Sequence, residues 1–520
     1  MSVVLVLALA CYGAFSAPTP QQSGGVSGGE GGSDAQSSGS ALQASSPMTL
    51  TSGGRAWPTT SLLGPENNIV SATAESANQP TYTLVPNQEA PADNGMILDF
   101  TNEESPQAIR GDNGASDFTG FNAPYDRLNP NAFARPGTDA GDSPNFKWPM
   151  GLSSARSGTG GGNPGYARQQ NIDELPISQS MAGVDMRLAP NAHRELHWHS
   201  ANEWSYVFNG SARISAVDPA GRTYVDDIQA GDLWFFPAGI PHSIQASPDG
   251  VEFLLVFSQG DFSEDATDLV SELFLRNPKE VLAKNFQTDI SDFDNLPQDE
   301  KYIFNAAPYP ENLTEVQQSV LGPTGQVPSD QAYTYHLSQQ EPLQVPGGSI
   351  KIVDPTVFPV AENFSVGFFT IEPGAMREIH WHLTSDEWNF FLAGNARITS
   401  FTAPESSRTF DFQAGDVGYI PVENAHYIEN TGNTTVSYME VLQAPQYQDM
   451  SVSQWLGLTP ANVVADTLHL PQSLISRLPK VKNYIVPGNA NYSTTNFTVE
   501  PSAVVKRKEP MGYSRSSRLF

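Results

Sequence analysis

The sequence predicts an all-β fold made of two tandem copies of one small barrel. From about Asn171 onward, short apolar runs such as WSYVF, DLWFFP and EFLLVF are separated by turns rich in Gly, Pro and Asp. Closely spaced short strands of this kind are typical of β-sandwiches and β-barrels. The 520 residues, 39% of them hydrophobic, suffice for two or three domains. Helices are expected only as short excursions, including a run from about Asp261 to Val281.

An internal repeat indicates that the second half duplicates the first. The segment RELHWHSANEW at 194–204 returns as REIHWHLTSDEW at 377–388, with one residue inserted before the glutamate. The two histidines stand 183 positions before their counterparts, and the later matched positions stand 184 before theirs. A constant offset indicates a duplicated domain. The matched pairs are His197 and His380, His199 and His382, Glu203 and Glu387, Gly210 and Gly394, Gly231 and Gly415, Pro237 and Pro421, and His242 and His426.

Composition divides the chain into five segments. Residues 1–17, MSVVLVLALACYGAFSA, form an apolar run too short to cross a bilayer, with small residues at plausible cleavage positions, so we expect a secretory signal peptide. Residues 18–95 are rich in Gly and Ser and predict a flexible leader. We then expect an N-terminal barrel domain with a lid segment over 96–285, a linker and C-terminal barrel domain over 286–460, and a helical segment with a basic tail over 461–520.

Charge and cysteine content restrict the environment and the partners. The formal net charge of −29 argues against nucleic acid and anionic membranes as partners. No later apolar run reaches the roughly 18–20 residues that a membrane helix needs. The only cysteine, Cys11, lies in the predicted signal peptide, so the secreted chain is expected to have no disulfide. Six N-x-Ser/Thr sequons fit an extracellular glycoprotein: Asn209, Asn312, Asn363, Asn433, Asn491 and Asn496.

Each copy carries the residues of a metal site. On a β-strand, residues i and i+2 face the same side, so His197 and His199 point together while Trp198 faces away. A carboxylate and a third histidine from neighbouring strands would join them inside a small barrel. Three histidines and one carboxylate suit an octahedral first-row ion such as Mn(II) or Fe(II) better than a structural zinc ion. The predicted ligands are His197, His199, Glu203 and His242 in the first copy and His380, His382, Glu387 and His426 in the second. The other histidines, His193, His336 and His469, are expected to be ordinary.

These residues give the chain a resemblance to cupins. The pattern H-x-H-x(3,4)-E-x6-G, followed by G-x5-P-x4-H, is the cupin signature and occurs in both halves. More narrowly, motifs such as RELHWH, DLWFFPAGIPHSIQ and GDVGYIP resemble the secreted bicupin oxalate decarboxylases over roughly Ser105 to Pro460. The resemblance implies two tandem cupin domains, each a double-stranded β-helix or jelly-roll barrel. Two features depart from it: APNAHRELHWH replaces the usual PGAxRELHWH, and Glu423 stands where many cupins have Gly.

The resemblance also implies an activity. Such enzymes convert oxalate to formate and carbon dioxide, with Mn(II) in each domain and dioxygen as a cofactor, and they form homo-oligomers. Arg194 would polarise bound oxalate at the first site, because a guanidinium group forms forked hydrogen bonds with carboxylates. A lid over that site would consist of Ser263, Glu264, Asp265 and Ala266, with Glu264 as the catalytic acid and base. The same residues also suit a helix start, with Ser263 as its cap.

The second copy matches the family less completely at the lid. Arg377 is the counterpart of Arg194, and Glu440 matches a second-site glutamate of the family and is expected to face the barrel interior. After Leu442 the chain continues as QAPQYQDMSVSQW, which contains no lid run. We therefore expect the first site to carry out the decarboxylation and the second to be mainly structural or electronic.

Three other functions remain open at this stage. An oxalate oxidase would form carbon dioxide and hydrogen peroxide from the same substrate on the same metal, and the presence of Glu264 favours the decarboxylase. A non-enzymatic storage-type bicupin usually lacks the histidine set, which is complete here. A bicupin dioxygenase acting on aromatic substrates would be expected to use iron and to lack the lid run.

Overall fold

The computed structural model describes residues 139–158, 163–298 and 302–488. The predicted signal peptide, the leader, the tail and the sequons at Asn491 and Asn496 lie outside the described residues. Those that are described all fall within one compact unit of the chain. No helix in this part of the chain is long and apolar enough to cross a membrane.

Strands dominate the described ranges. They are β1 Lys147–Pro149, β2 Ala155–Ser157, β3 Gly165–Gln170, β4 Ala182–Leu188, β5 His193–Trp198, β6 Glu203–Val217, β7 Thr223–Gln229, β8 Leu233–Phe236, β9 His242–Phe257, β10 Asp268–Leu269, β11 Ile303–Phe304, β12 Thr334–Tyr335, β13 Leu343–Val345, β14 Gly348–Val353, β15 Ser365–Ile371, β16 Met376–His382, β17 Glu387–Ala393, β18 Asn395–Thr402, β19 Ser406–Gln413, β20 Asp416–Ile420, β21 Ala425–Asn430, β22 Val436–Leu442, β23 Asp449–Ser451 and β24 Ile485–Val486. The α-helices are α1 Val270–Arg276, α2 Lys279–Phe286, α3 Leu313–Ser319, α4 Val452–Leu458, α5 Ala461–Leu468 and α6 Gln472–Ile475.

Two long, bent strands organise the first barrel. β6 and β9 pair with each other, and each also pairs with further strands, β6 with β7 and β8, and β9 with β4 and β5. The β6–β9 register shifts between Val207 and Asn209 and again between Gly210 and Ala212, and such bulges bend a strand. A Cβ atom at Gly210 would lie 2.0 Å from the carbonyl oxygen of Gly250. The close crossing therefore requires glycine at this position.

The second barrel repeats this layout with its long strands cut in two. β17 and β18 correspond to β6 and are separated by Gly394, the counterpart of Gly210, while β21 and β22 correspond to β9. One sheet has the order β1-β20-β17-β22-β15-β14-β13, and the other has the order β19-β18-β21-β16-β23, with β24 also paired to β16. The predicted all-β fold with two tandem barrels is confirmed.

The two halves exchange short strands. β1 pairs with β20 of the second barrel, and there the Lys147 ammonium lies 2.8 Å from the Asp416 carboxylate, with both side chains buried. β12, from the connection between the barrels, pairs with β8 of the first barrel. Each barrel is thus completed by a strand from outside its own repeat.

A third hydrophobic core lies between the barrels, in addition to the core inside each. Side chains alternate across a strand, so the glutamates Glu203 and Glu387 face the barrel interiors, while the next residues, Trp204 and Trp388, face the opposite way into the shared core. Trp388 Nε1 also donates a hydrogen bond to Gln170 Oε1 at 2.7 Å. In each copy, the glutamate of the Glu-Trp pair therefore belongs to a predicted metal site, and the tryptophan belongs to the contact between the barrels.

The structure corrects the expected helical run from Asp261 to Val281. Its first part is a single 3-10 turn, Glu264–Ala266, followed by β10, and α-helix begins only at Val270. The helix ends at Arg276 because Pro278 cannot donate a backbone hydrogen bond and disfavours helical backbone in the residue before it. Ser263 does act as a cap, but of the 3-10 turn, since its side chain accepts a hydrogen bond from the Asp265 amide.

Glu423 adopts a backbone conformation that favours glycine. Its φ is +67°, and the counterpart in the first barrel is Gly239, with φ +79°. The amide of each residue donates a hydrogen bond to a ligand histidine's carbonyl oxygen, Glu423 to His382 at 3.1 Å and Gly239 to His199 at 2.8 Å. The turn is therefore kept in both copies, and only the first has the residue that adopts it without strain.

Replacing Glu423 with Gly is expected to raise the free energy of unfolding by about 0.5–1 kcal/mol, because relief of left-handed strain outweighs the entropy that glycine adds to the unfolded chain. The matched change Gly239→Glu is expected to lower it by about 1–2 kcal/mol. Calorimetric unfolding of the metal-loaded protein measures both, and a loss of stability in the Glu423 variant would contradict the explanation.

Candidate metal centres and active site

The first predicted ligand set converges inside the first barrel. His197 lies on β5, His199 directly after it, Glu203 at the start of β6 and His242 at the start of β9, where it pairs in register with His197. All four side chains are buried, and one ligand atom from each lies within 4.8 Å of the others. The strand alternation and the β5–β9 register thus bring together all four residues that the sequence predicted.

Hydrogen bonds to backbone carbonyls orient the three imidazoles. Nδ1 of His199 bonds the Ala201 oxygen at 2.8 Å, and Nδ1 of His242 bonds the Ile240 oxygen at 2.8 Å. His197 makes the same type of bond to the Glu195 oxygen. A carbonyl only accepts, so Nδ1 carries the proton and Nε2 offers its lone pair to the centre. The ring orientation needed for metal binding is therefore set by the fold itself.

The carboxylate of Glu203 is fixed in the same way. Its Oε1 accepts a hydrogen bond from Trp234 Nε1 at 2.7 Å, while Oε2 lies 3.0 Å from His199 Nε2 and 3.5 Å from His242 Nε2. Although burial alone would raise the pKa of Glu203, the neighbouring imidazoles hold it well below its usual range. The carboxylate is thus anionic and ready to bind a cation.

The second set has the same architecture. His380 and His426 pair in register, their Nδ1 atoms bond the backbone oxygens of Glu378 at 2.7 Å and Asn424 at 2.9 Å, and Glu387 Oε2 lies 2.9 Å from His426 Nε2. The ligand atoms again lie within 4.8 Å of one another. Glu387 has no counterpart of the Trp234 hydrogen bond, because Gly418 occupies that position in the repeat.

The donor sets fit a divalent metal. Among the described residues, Nε2 of His380 is buried and has no hydrogen-bond partner, which is costly unless a cation binds it. Burial lowers the pKa of His197 and of His380 well below the usual value, and the adjacent arginines add to the effect. These imidazoles are therefore neutral, as metal ligands must be. A set of three imidazoles and one carboxylate suits Mn(II) or Fe(II), as the sequence predicted.

Arg194 and Glu264 meet beside the first centre. Glu264 Oε2 accepts hydrogen bonds from Arg194 Nη2 at 3.0 Å and from the Tyr302 hydroxyl at 2.8 Å, and the Arg194 and Glu264 side chains are only 1% and 5% exposed. Arg194 Nη1 also donates to the Tyr302 carbonyl oxygen at 3.2 Å. Burial and the nearby Glu264 raise the pKa of Tyr302 well above its usual value, so its hydroxyl remains a donor.

The other lid residues surround Glu264 without entering the site. Ser263 is half-buried, whereas Asp265 and Ala266 are exposed. The Glu264 amide donates to Gln169 Oε1 at 3.1 Å. Just before the turn, Phe262 stacks on Phe257 with ring centroids 3.5 Å apart. The lid is thus a single turn with an aromatic anchor at one end and one acidic side chain directed inward.

Tyr302 was not predicted from the sequence. It directly precedes β11, which pairs with β5 at Arg194, and its counterpart Tyr484 precedes β24, which pairs with β16 at Arg377. Both tyrosines accept a hydrogen bond from the arginine through the backbone oxygen. The signal that could have revealed them is the repeat of YIF as YIV, outside the segment in which the repeat was recognised.

The second barrel surrounds its arginine differently. Arg377 Nε lies 3.4 Å from Glu440 Oε1, and Arg377 Nη2 forms an ion pair with Asp449, with all three side chains fully buried. Glu440 also accepts hydrogen bonds from the hydroxyls of Tyr438, at 2.8 Å, and Tyr447. Asp449 and Tyr447 were missed from the sequence. Tyr447 lies in the segment between β22 and β23, and Asp449 is the first residue of β23. This part of the chain contains no Ser-Glu-Asp-Ala run.

The two acidic groups come from different elements of the repeat. Glu203 pairs with Phe257, and Glu387 pairs with Leu442, so the position of Glu440 on β22 corresponds to Leu255 on β9. In the first barrel this wall position is apolar, and the acid comes from the lid instead. The arginine therefore meets a carboxylate on a separate turn in one copy and a carboxylate of the barrel wall in the other.

Comparisons with known proteins agree with this architecture. The cupin family model matches twice, at residues 154–292 and 335–473. The chain is 44% identical over 381 residues to oxalate decarboxylase OxdC of Bacillus subtilis, which covers 73% of this chain and 97% of that protein. It is 39% identical to a probable oxalate decarboxylase of Arthroderma benhamiae, over 71% of this chain and 89% of that protein.

A solved structure of the Bacillus subtilis oxalate decarboxylase, from work on its Mn(II) centres, superposes on this chain with a TM-score of 0.67. The two sequences are 43% identical, and the match covers 74% of this chain and all of that one. Both the repeated barrel and the sequence relationship extend over nearly the full length of these relatives. The chain belongs to the oxalate decarboxylase family of cupin proteins with two barrel domains.

Proposed function

We propose that the protein is a manganese-dependent oxalate decarboxylase, which converts oxalate to formate and carbon dioxide with dioxygen as a cofactor, and that the reaction takes place at the first centre. The observation that carries this proposal is the buried Arg194–Glu264 pair beside three imidazoles and a carboxylate. The relatives named as oxalate decarboxylases support the substrate. The Mn(II) centres of the related structure support the metal.

His197, His199, Glu203 and His242 would hold the manganese ion, whose chemistry when bound is to offer open coordination positions and a one-electron couple for substrate activation. Arg194 supplies the fixed positive charge. Its guanidinium group is buried, and its forked donors match the oxygens of a carboxylate. Oxalate bound there would be polarised by a cation that water cannot screen.

Glu264 acts as both base and acid: its carboxylate, paired with Arg194 in this structure, takes up the proton that the reaction consumes and delivers it to carbon. Loss of carbon dioxide from oxalate leaves a one-carbon fragment, and formate forms when that carbon receives a proton. The Glu264 carboxyl is positioned to deliver it, because the closed turn holds the group beside Arg194 and keeps it from bulk water. The overall change, oxalate dianion plus one proton to formate plus carbon dioxide, leaves dioxygen unconsumed.

We propose a structural or electronic role for the second centre. Arg377 is engaged by two carboxylates, Glu440 and Asp449, whose positions are set by the barrel wall and by β23. To bind Arg377, a substrate carboxylate would have to displace Glu440 and Asp449. Both are buried, and neither lies on a separate turn that could move without the barrel strands. This difference supports the first centre as the site of decarboxylation.

Oxalate oxidation, which gives carbon dioxide and hydrogen peroxide, is the second candidate activity at the first centre. One observation favours it: Asp265 and Ala266, the two residues that follow Glu264 in the lid turn, are exposed, so they add no buried side chain that would hold the turn closed. An open turn would withdraw the Glu264 proton and leave the fragment to be oxidised. The storage-type alternative is disfavoured because both ligand sets are complete and assembled.

We also propose that the protein is secreted and glycosylated. The asparagines of the four described sequons, Asn209, Asn312, Asn363 and Asn433, are all exposed and accessible to a glycosylating enzyme. The acidic net charge of −29 fits an extracellular protein that must stay soluble.

Replacing Glu264 with Ala is expected to lower formate production by at least about 100-fold, because the proton donor is lost. Formate and hydrogen peroxide are measured together after incubation of the manganese-loaded protein with oxalate in air. Glu440→Gln is the matched control in the other barrel and is expected to retain most formate production. If the Glu440 variant were inactive and the Glu264 variant active, the assignment of the first centre would be wrong.

Manganese binding is expected to survive mild acid and to fall at lower pH. The depressed pKa values of His197 and His380, caused by burial, keep these ligands neutral to a lower pH than exposed histidines. The pKa of His199 is raised, because Glu203 outweighs the effect of burial, so protons are expected to compete there first. Metal analysis after dialysis between about pH 7 and about pH 3, with formate assays in parallel, tests this. Full metal retention with activity that only increases in acid would contradict it.

A further inference from the structure

A second ion pair holds the lid from outside. Asp265, the residue after Glu264, lies with Oδ1 2.7 Å from Arg156 Nη1. The Arg156 side chain is 29% exposed and that of Asp265 is 78% exposed, so this pair is at the surface. Two consecutive acidic residues of one turn therefore bind two different arginines, one inside the site and one outside it.

Both arginines are supported by the same tyrosine. The guanidinium carbons of Arg194 and Arg156 each lie 4.1 Å from the centre of the Tyr302 ring, within cation–π distance. Arg156 lies on β2, where it pairs with Ala167 of β3, so its backbone is fixed to the barrel. The outer pair thus joins the lid to the rigid wall through a guanidinium group already positioned by an aromatic ring.

The outer pair borders a cavity next to the proton donor. Arg156, Asp265, Gln169 and Glu264 are among the residues that line a space of about 200 Å³. Because Glu264 and Asp265 belong to one short turn, movement of Glu264 away from Arg194 would also separate Asp265 from Arg156. The outer pair therefore stabilises the closed turn without contacting the metal ligands.

We propose that Arg156 and Asp265 form a latch that determines the product of the reaction by keeping Glu264 in place. This inference rests on the proposed function. With the turn closed, oxalate and one proton give formate and carbon dioxide. With the turn open, the fragment receives no proton, and oxalate, dioxygen and two protons give two molecules of carbon dioxide and one of hydrogen peroxide, with two electrons passing from oxalate to dioxygen. Arg156 and Asp265 are positioning residues, because neither transfers the proton.

The test is a double-mutant cycle with Asp265→Asn, Arg156→Gln and the double variant, each loaded with manganese and assayed for formate and peroxide in air. Exposed ion pairs are weak, so each single variant is expected to lower the formate-to-peroxide ratio by about two- to five-fold. The double variant is expected to match the singles, because one interaction is lost in all three. Arg156→Lys is expected to recover part of the ratio.

Asp294→Asn is the matched control. Asp294 forms an exposed ion pair with Lys279 at 2.8 Å, and its side chain is 64% exposed, but it lies away from the lid turn. This variant is expected to leave the product ratio unchanged. Unfolding temperature and manganese content are measured for every variant, so that a ratio change at unaltered stability and metal content reports on the lid.

The outcomes separate the latch from the proposed function. Unchanged ratios in both single variants, a change in only one of them, or additive effects in the double variant would overturn the latch while Glu264→Ala still abolished formate. If Glu264→Ala retained full formate production, the proposed role of the lid would fail first, and the latch with it.

Discussion

Burial of charge inside each barrel is the constraint on which the rest of the structure depends. Three imidazoles, a carboxylate and an arginine are removed from water in each copy, and such groups are costly unless they are paired or bind metal. Nearby hydrogen bonds offset part of this cost: backbone carbonyl oxygens bind Nδ1 of each ligand histidine, and Trp234 binds the carboxylate of Glu203. What remains unpaired, such as Nε2 of His380, points to the place where a cation would be bound.

The two copies differ in how the buried arginine is neutralised. Arg377 pairs with Glu440 on the wall strand β22 and with Asp449 on β23, both continuous with the barrel. Arg194 pairs with Glu264 on a single 3-10 turn, while the equivalent wall position is Leu255. The two copies thus share the metal ligands and differ in the element that carries the carboxylate beside the arginine, which is a barrel strand in the second copy and a short turn in the first.

The sequence predicted what strand alternation and repetition determine. His197 and His199 at i and i+2, Glu203, and His242 in the repeat were enough to define both ligand sets and the two-barrel fold, because each depends on local pattern. Tyr302 and Asp449 were missed, since each reaches its arginine through a two- or three-residue strand that pairs with β5 or β16 far from it in sequence. For Tyr302, the short repeat of YIF as YIV was the one available signal. The helical run expected from Asp261 to Val281 was wrong at its start, where a 3-10 turn and β10 precede the helix. Pro278 also divides the run into two helices, the second beginning at Lys279.

The repeated Glu-Trp pair links the two centres to one packing arrangement. Glu203 and Glu387 enter the barrels, and the adjoining Trp204 and Trp388 enter the shared core, so the first residue of β6 and of β17 is held by contacts on both faces of the sheet. A shift of either barrel against the other would move the tryptophan and, through the same strand, the carboxylate of the metal site. The exchanged strands β1 and β12 oppose such a shift, because each is paired to the barrel beyond its own repeat. The second barrel therefore contributes to the geometry of the first centre through packing against its ligand-bearing strand.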